Sequence, residues 1–143
     1  MKILLIRMMG FGDVASILIP AIKINRLHYP DAQIDVLTFG AGSELITLVK
    51  DVTNILNVEK EQWPDDILGA IQSFLSIGEV VIQQDYEKII NYDTWFMPCF
   101  LSQFLLELKL PVKGNHLTLS TKEVMKQMLS QELSNDFVTS PVS

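Results

Sequence analysis

Near its start the chain carries an unbroken apolar run, Ile3-Leu4-Leu5-Ile6, which ends at Arg7 and a glycine-punctuated loop through Gly10, Gly12 and Asp13. A strand apolar at successive positions has no face to give to water. It belongs in the middle of a parallel sheet covered by helices on both sides. Beyond the loop, Val14, Ile17, Leu18, Ala21, Ile22 and Ile24 recur at roughly helical spacing, with Ser16, Lys23 and Arg26 opposite. That pattern predicts an amphipathic helix of about four turns. Pro20 lies within it and predicts a kink, because proline removes a hydrogen-bond donor and crowds the preceding turn. His28-Tyr29-Pro30-Asp31 supplies a proline stop.

The same alternation continues along the chain. Ile34 to Phe39 reads as a second strand, Gly40 to Ser43 as a loop, and Ser43 to about Lys50 as a short helix. Ile55 to Val58 is a brief third strand. Pro64, followed by Asp65 and Asp66, suits the first turn of a helix that continues past Gly78 to about Gln84. Ile89 to Tyr92 is the fourth strand, and Pro98 to Leu108 a strongly apolar helix. Pro111 to Gly114 reads as a connector, Glu123 to Leu133 as a final amphipathic helix, and Ser134 to Ser143 as a frayed tail. Strand–helix alternation repeated in this way predicts an α/β fold, a Rossmann-like, doubly wound parallel sheet with right-handed crossovers in a single domain.

Composition narrows the function classes. The chain has 143 residues, enough for one domain with a sizeable core. Its 17 acidic residues against 11 Lys and Arg give a net charge of −6, which argues against a general nucleic-acid binder. The single cysteine, Cys99, excludes an internal disulfide framework and a cysteine-rich zinc site, and reads as a small buried hydrophobe. His28 and His116 lack a second ligand at helical or strand spacing, so no metal is expected. No apolar run approaches a bilayer span, and four apolar residues between Lys2 and Arg7 are too few for a signal-peptide core. The expected location is cytoplasmic, with at most peripheral membrane contact.

Ligands of an open parallel sheet bind outside the carboxyl ends of its strands, so the loop after the first strand is the first place to look. Gly10-Phe11-Gly12-Asp13-Val14-Ala15 formally matches the dinucleotide fingerprint with alanine in third place. The second strand ends Thr38-Phe39-Gly40 where that motif wants an acid, and Asp35 lies inside the strand. A dinucleotide is therefore a distant third reading. Asp13 has two readings: an N-cap for the first helix, or a general base aimed at a bound hydroxyl. The roles compete, because helix-terminal N–H groups stabilise the carboxylate and lower its basicity. Trp95, Phe96, Phe100, Phe104 and Leu105 form an apolar cluster that reads as core, part of it available to a partner domain. Asp51, Asp65, Asp66 and Asp85 read as solvated helix ends and loops.

Met1 to Arg7, Gly12-Asp13-Val14, Pro20-Ala21 and Tyr29 to Leu37 together resemble the opening of the heptosyltransferase-like glycosyltransferases, glycosyltransferase family 9. Tyr86 to Asn91 is similar to that family's fourth-strand segment, and Pro111 to Gly114 to its next connector. The resemblance covers about residues 1–114 and departs from the family pattern at Met9 and Gly10, where small hydroxyl residues are usual. It implies the N-terminal half of a GT-B fold, in which two Rossmann-like domains face each other across a cleft. Residues 1–115 would be the acceptor-type domain, and 116–143 a C-terminal helix and tail.

By the same resemblance, Asp13 would be the catalytic base, with Arg7, Gly10 and Gly12 in the substrate-binding loop. The acceptor would be a sugar, lipid or protein, and transfer would invert the anomeric centre without a metal. The chain itself would hold no cofactor. A nucleotide-sugar such as ADP-heptose would sit in a donor domain of which no segment here shows a trace. The chain would then be a separately made acceptor domain, a fragment or a degenerate relative. It is expected to be inactive alone and to meet a companion domain, or a second copy of itself, through part of Trp95 to Leu108. The rival reading is a non-catalytic binding or assembly module that kept the fold.

Overall fold

The computed structural model describes residues 1–8, 14–39, 46, 49–58, 67–94, 96–130 and 138–139. Five parallel strands make one sheet: β1 (Lys2–Ile6), β2 (Gln33–Phe39), β3 (Asn54–Val58), β4 (Lys88–Asn91) and β5 (Val112–Gly114). Their order is β3-β2-β1-β4-β5. The apolar run thus lies at the centre, Leu4 opposite Asp35 on one side and Ile89 on the other. Ile3, Leu4, Leu5 and Ile6 are all fully buried, as a strand sandwiched between helix layers must be.

Alternation along the strands divides the core into two layers. Ile3, Leu5, Ile34 and Val36 pack with Leu18, Ala21 and Ile22. Those three come from a π-helical turn, Val14–Leu18, and from α1, Ile19–His28, which follows it directly. Leu4, Ile6, Leu37 and Ile89 point the other way. They meet Val81 of α2 (Ile67–Gln84), Cys99, Phe100, Leu101 and Leu105 of α3 (Phe96–Glu107), and Val124 of α4 (Thr121–Ser130). Gly78 lets α2 and α3 close on each other, since a Cβ there would stand 3.1 Å from the Phe104 ring.

Pro20 changes the helix rather than bending it. It occupies the first turn of α1, where a missing N–H costs nothing, and the residues before it take the wider π geometry. Tyr29 caps α1 by donating its N–H to the Asn25 carbonyl. The expected Ser43–Lys50 helix lies mostly outside the described residues, although Ile46 is helical and fully buried. Pro64, Asp65 and Asp66 also lie outside them.

A second expectation is corrected. Pro111 to Gly114 is not merely a connector, because Val112–Gly114 is the edge strand β5, pairing with Ile89 to Asn91. Three residues with one exposed lysine carry no strand periodicity of their own; β4 imposes it. Gly114 has φ +92°, and a Cβ there would collide with the Asn91 carbonyl oxygen, so this crossing requires glycine.

Beyond β5, two-residue strands β6 (His116–Leu117) and β7 (Val138–Thr139) pair antiparallel. Leu117 and Val124 belong to the same core cluster as β1 and β4. Within Trp95 to Leu108, Cys99, Phe100, Leu101 and Leu105 are interior and Leu108 is exposed. Ser120 caps α4 by accepting the Glu123 N–H, and the Glu107 carboxylate accepts both the N–H and the hydroxyl of Thr121. No described helix is long and apolar enough to cross a membrane.

Candidate functional site

The strand order places the topological switch between β1 and β4. The chain moves outward from β1 through β2 to β3, then returns on the other side to β4 and β5. Crossovers leaving in opposite directions open a crevice at the carboxyl ends of β1 and β4. Arg7 and Met8 follow β1 there, and Asn91 to Asp93 end β4.

Asp93 is the hub of this rim and is fully buried. Its Oδ2 accepts the Met8 N–H at 2.6 Å, and its Oδ1 lies 3.4 Å from Arg7 Nη1. Arg7 Nη1 also donates to the Tyr92 carbonyl at 2.7 Å. The Asp93 N–H is held by Asn91 Oδ1, and the Asp93 carbonyl accepts from Asn115 Nδ2 at 2.6 Å. Asn91 Nδ2 in turn donates to the Asn115 carbonyl. The segments leaving β1, β4 and β5 are therefore tied together by one polar network. A buried charge pair of this kind is worth little over an apolar replacement, yet losing one partner is costly. Its effect is to hold the exits of three strands at fixed positions.

Cys99 packs beneath the rim, its thiol against Asp93 O and Asn91 Nδ2. Burial pushes the thiol up to about 12, so it is an inert, neutral thiol as the sequence implied. Level with Arg7 on the neighbouring strand, Thr38 is fully buried, and its hydroxyl finds no hydrogen-bond partner among the described residues.

Arg7, expected to bind substrate, has its side chain only 10% exposed, with Nη1 engaged on internal partners. Asp13, Gly10 and Gly12 lie outside the described residues. The described residues nearest to them are Met8, whose N–H Asp93 accepts, and Val14, which opens the π-helical turn. Asp35 turns out to sit far from the rim. It is fully buried toward the amino end of the sheet and accepts the Tyr86 hydroxyl at 2.6 Å, with Gln33 and Asn54 amides at 3.2 Å. Burial is the main cause that raises the Tyr86 phenol well above its usual range, and the Asp35 carboxylate adds to it. Among the described residues, no three His, Cys, Asp or Glu side chains gather as a metal ion requires.

Sequence reasoning passed over Asn91, Asp93 and Asn115. The available signal was polar residues placed immediately after, or at the last position of, apolar strands.

The architecture is that of a Rossmann-like α/β domain, and it matches one half of a GT-B glycosyltransferase. The chain is similar to the crystal structure of a glycosyl transferase family 9 protein from Veillonella parvula DSM 2008, at 14% identity and TM-score 0.62. That match covers 99% of this chain and 45% of the other. It is also similar to Escherichia coli heptosyltransferase WaaC. The WaaC structure with ADP matches at 12% identity and TM-score 0.57, and that with ADP-2-deoxy-2-fluoro heptose at 14% and 0.60. Both matches cover 100% of this chain and 50% of WaaC. At these identities the likeness is one of fold, and the chain spans about half the length of each neighbour. No protein-family model matches the chain, and no curated protein matches it in sequence.

Proposed function

We propose that the chain is the acceptor-binding half of a heptosyltransferase-like glycosyltransferase working in the cytoplasm. In this reading a nucleotide-sugar donor is held by a second domain or companion chain, and the 143 residues by themselves turn over no donor. The observation that carries the reading is superposition of essentially the whole chain on half of solved glycosyltransferases, with a fixed polar rim at the switch point. The acceptor hydroxyl approaches from that rim. Asp13 takes its proton as the oxygen bonds to the anomeric carbon of the donor and the bond to the leaving phosphate breaks, inverting the centre. Arg7 and the Gly10–Gly12 loop orient the acceptor, a sugar, lipid or protein. Part of Trp95 to Leu108 faces the companion, with exposed Leu108 as its contact.

The test is Asp13→Asn in the two-domain context, either a full-length parent or this chain mixed with a donor half. Asparagine caps a helix about as well as aspartate, so stability stays level, but its amide is no base. Transfer is expected to fall about 10²–10⁴-fold with donor binding intact. Retained activity would remove Asp13 from catalysis, leave it the helix cap, and leave the fold reading untouched.

A further inference from the structure

On the α1 side of β4 and β5, opposite the face that α3 covers, Lys88, Ile90, Tyr92, Lys113, Gly114 and Asn115 line a cavity of about 320 Å³. We infer that this cavity binds a small phosphomonoester on a sugar-like ring, its phosphate between Lys88 and Lys113 and its ring against Ile90 and Tyr92. The inference is independent of the glycosyl-transfer reading.

The strand register carries the argument. Lys113 stands opposite Ile90, and Lys88 is two residues back along β4, so both ammonium stems rise from the same face of adjacent strands. Such diagonal neighbours lie about 7–8 Å apart, a spacing that two four-carbon stems can close onto one anion. Lys88 Nζ also lies 5.1 Å from the ring centroid of Tyr29, the residue that caps α1, which keeps its stem on the α1 face of the sheet. In a chain of net charge −6, two lysines at one cavity mark a local preference for an anion. A phosphomonoester carries about 1.5–2 negative charges near neutrality, which suits two ammonium groups better than a single carboxylate does.

The remaining wall selects the body of the ligand. Ile90 and Tyr92 are half-buried and belong to the apolar layer under α1. The Tyr92 phenol, raised by burial and bonded to Asn25, stays neutral and fixed. Gly114 brings β5 close against the Asn91 backbone at the cavity's edge, an approach that a Cβ would block. The volume sits near the lower end of the range for small-molecule pockets, which fits a phosphorylated monosaccharide rather than a dinucleotide.

The test titrates the full chain with glucose 6-phosphate, inorganic phosphate and glucose, reading backbone amide shifts by NMR. Saturable shifts at Lys88–Tyr92 and Lys113–Asn115 are expected with glucose 6-phosphate, at least tenfold weaker with inorganic phosphate and absent with glucose. Lys88→Met with Lys113→Met should weaken glucose 6-phosphate binding at least tenfold. The single Lys113→Met, at an exposed position and therefore safe for folding, should weaken it at least threefold. Absent or non-saturable shifts overturn the assignment, as does equal affinity in the double variant with its melting temperature retained. Equal affinity for inorganic phosphate also overturns it, since the apolar wall would then add nothing.

Discussion

Toward the amino end of the sheet, Asp35 is met by a phenol and two amides, all neutral donors from β2, β3 and the residue pair preceding β4. At the carboxyl end, Asp93 is met by a guanidinium and a backbone N–H, both from the exit of β1. Both carboxylates are fully buried, but they hold different things. Asp35 closes a polar knot within regular strands, where each donor already has a place in the sheet. Asp93 fixes the trajectories of segments leaving the sheet. Satisfied knots specify packing, whereas charged anchors at strand exits hold the place where ligands of this fold bind.

If that contrast is right, the largest loss of stability comes at the carboxyl end. Asp93→Ala leaves Arg7 as a buried charge and strips the acceptor from the Met8 N–H, for a cost of about 3–5 kcal/mol in urea unfolding. Replacing both partners together, Arg7→Met with Asp93→Leu, should recover most of it. A cost below that of the amino-end variant would break the comparison.

Tyr86→Phe comes next. It deletes one hydrogen bond to a charged acceptor while the ring stays packed and the two amides still serve Asp35, so about 1.5–3 kcal/mol should be lost. Amide exchange at Met8 and Asp93 should not change, because the knots share no residue.

The smallest effect near pH 10, and the sharpest discriminator, is alkaline. Burial raises Cys99 from 9.0 to about 12, so the folded state holds the thiol proton more tightly than the unfolded chain. Its contribution is complete below about pH 9 and is lost as pH rises toward 12, at up to about 1.4 kcal/mol per pH unit. Tyr86 is also raised, from 10.0, and its loss begins about one unit later. Stability measured against pH should therefore begin to fall near pH 9 in the native chain and near pH 10 in Cys99→Ala. An unchanged onset would show that the Cys99 thiol does not report on the carboxyl end.

Much of the scaffold was legible beforehand. The β1, β2, β3 and β4 strands lie within a residue of their expected bounds, and α2 runs through Gly78 to Gln84 as expected. The Ser120-to-Glu123 spacing that starts α4 was a readable capping signal that went unused, which put the expected start two residues late. The site was far less legible. Asn91-Tyr92-Asp93 looked like a strand end and a loop, and nothing local marks Asp93 as the partner of Met8.

The sequence by itself determined that Ile3 to Ile6 would lie inside a parallel sheet and that strands and helices would alternate. Each depends on periodicity within a few neighbouring residues. Only the tertiary structure decided that Val112–Gly114 is a strand and that Asp93 anchors the exit of β1. The first needs β4 as a template, and the second joins residues 85 positions apart that meet only after three crossovers have carried the chain across the sheet.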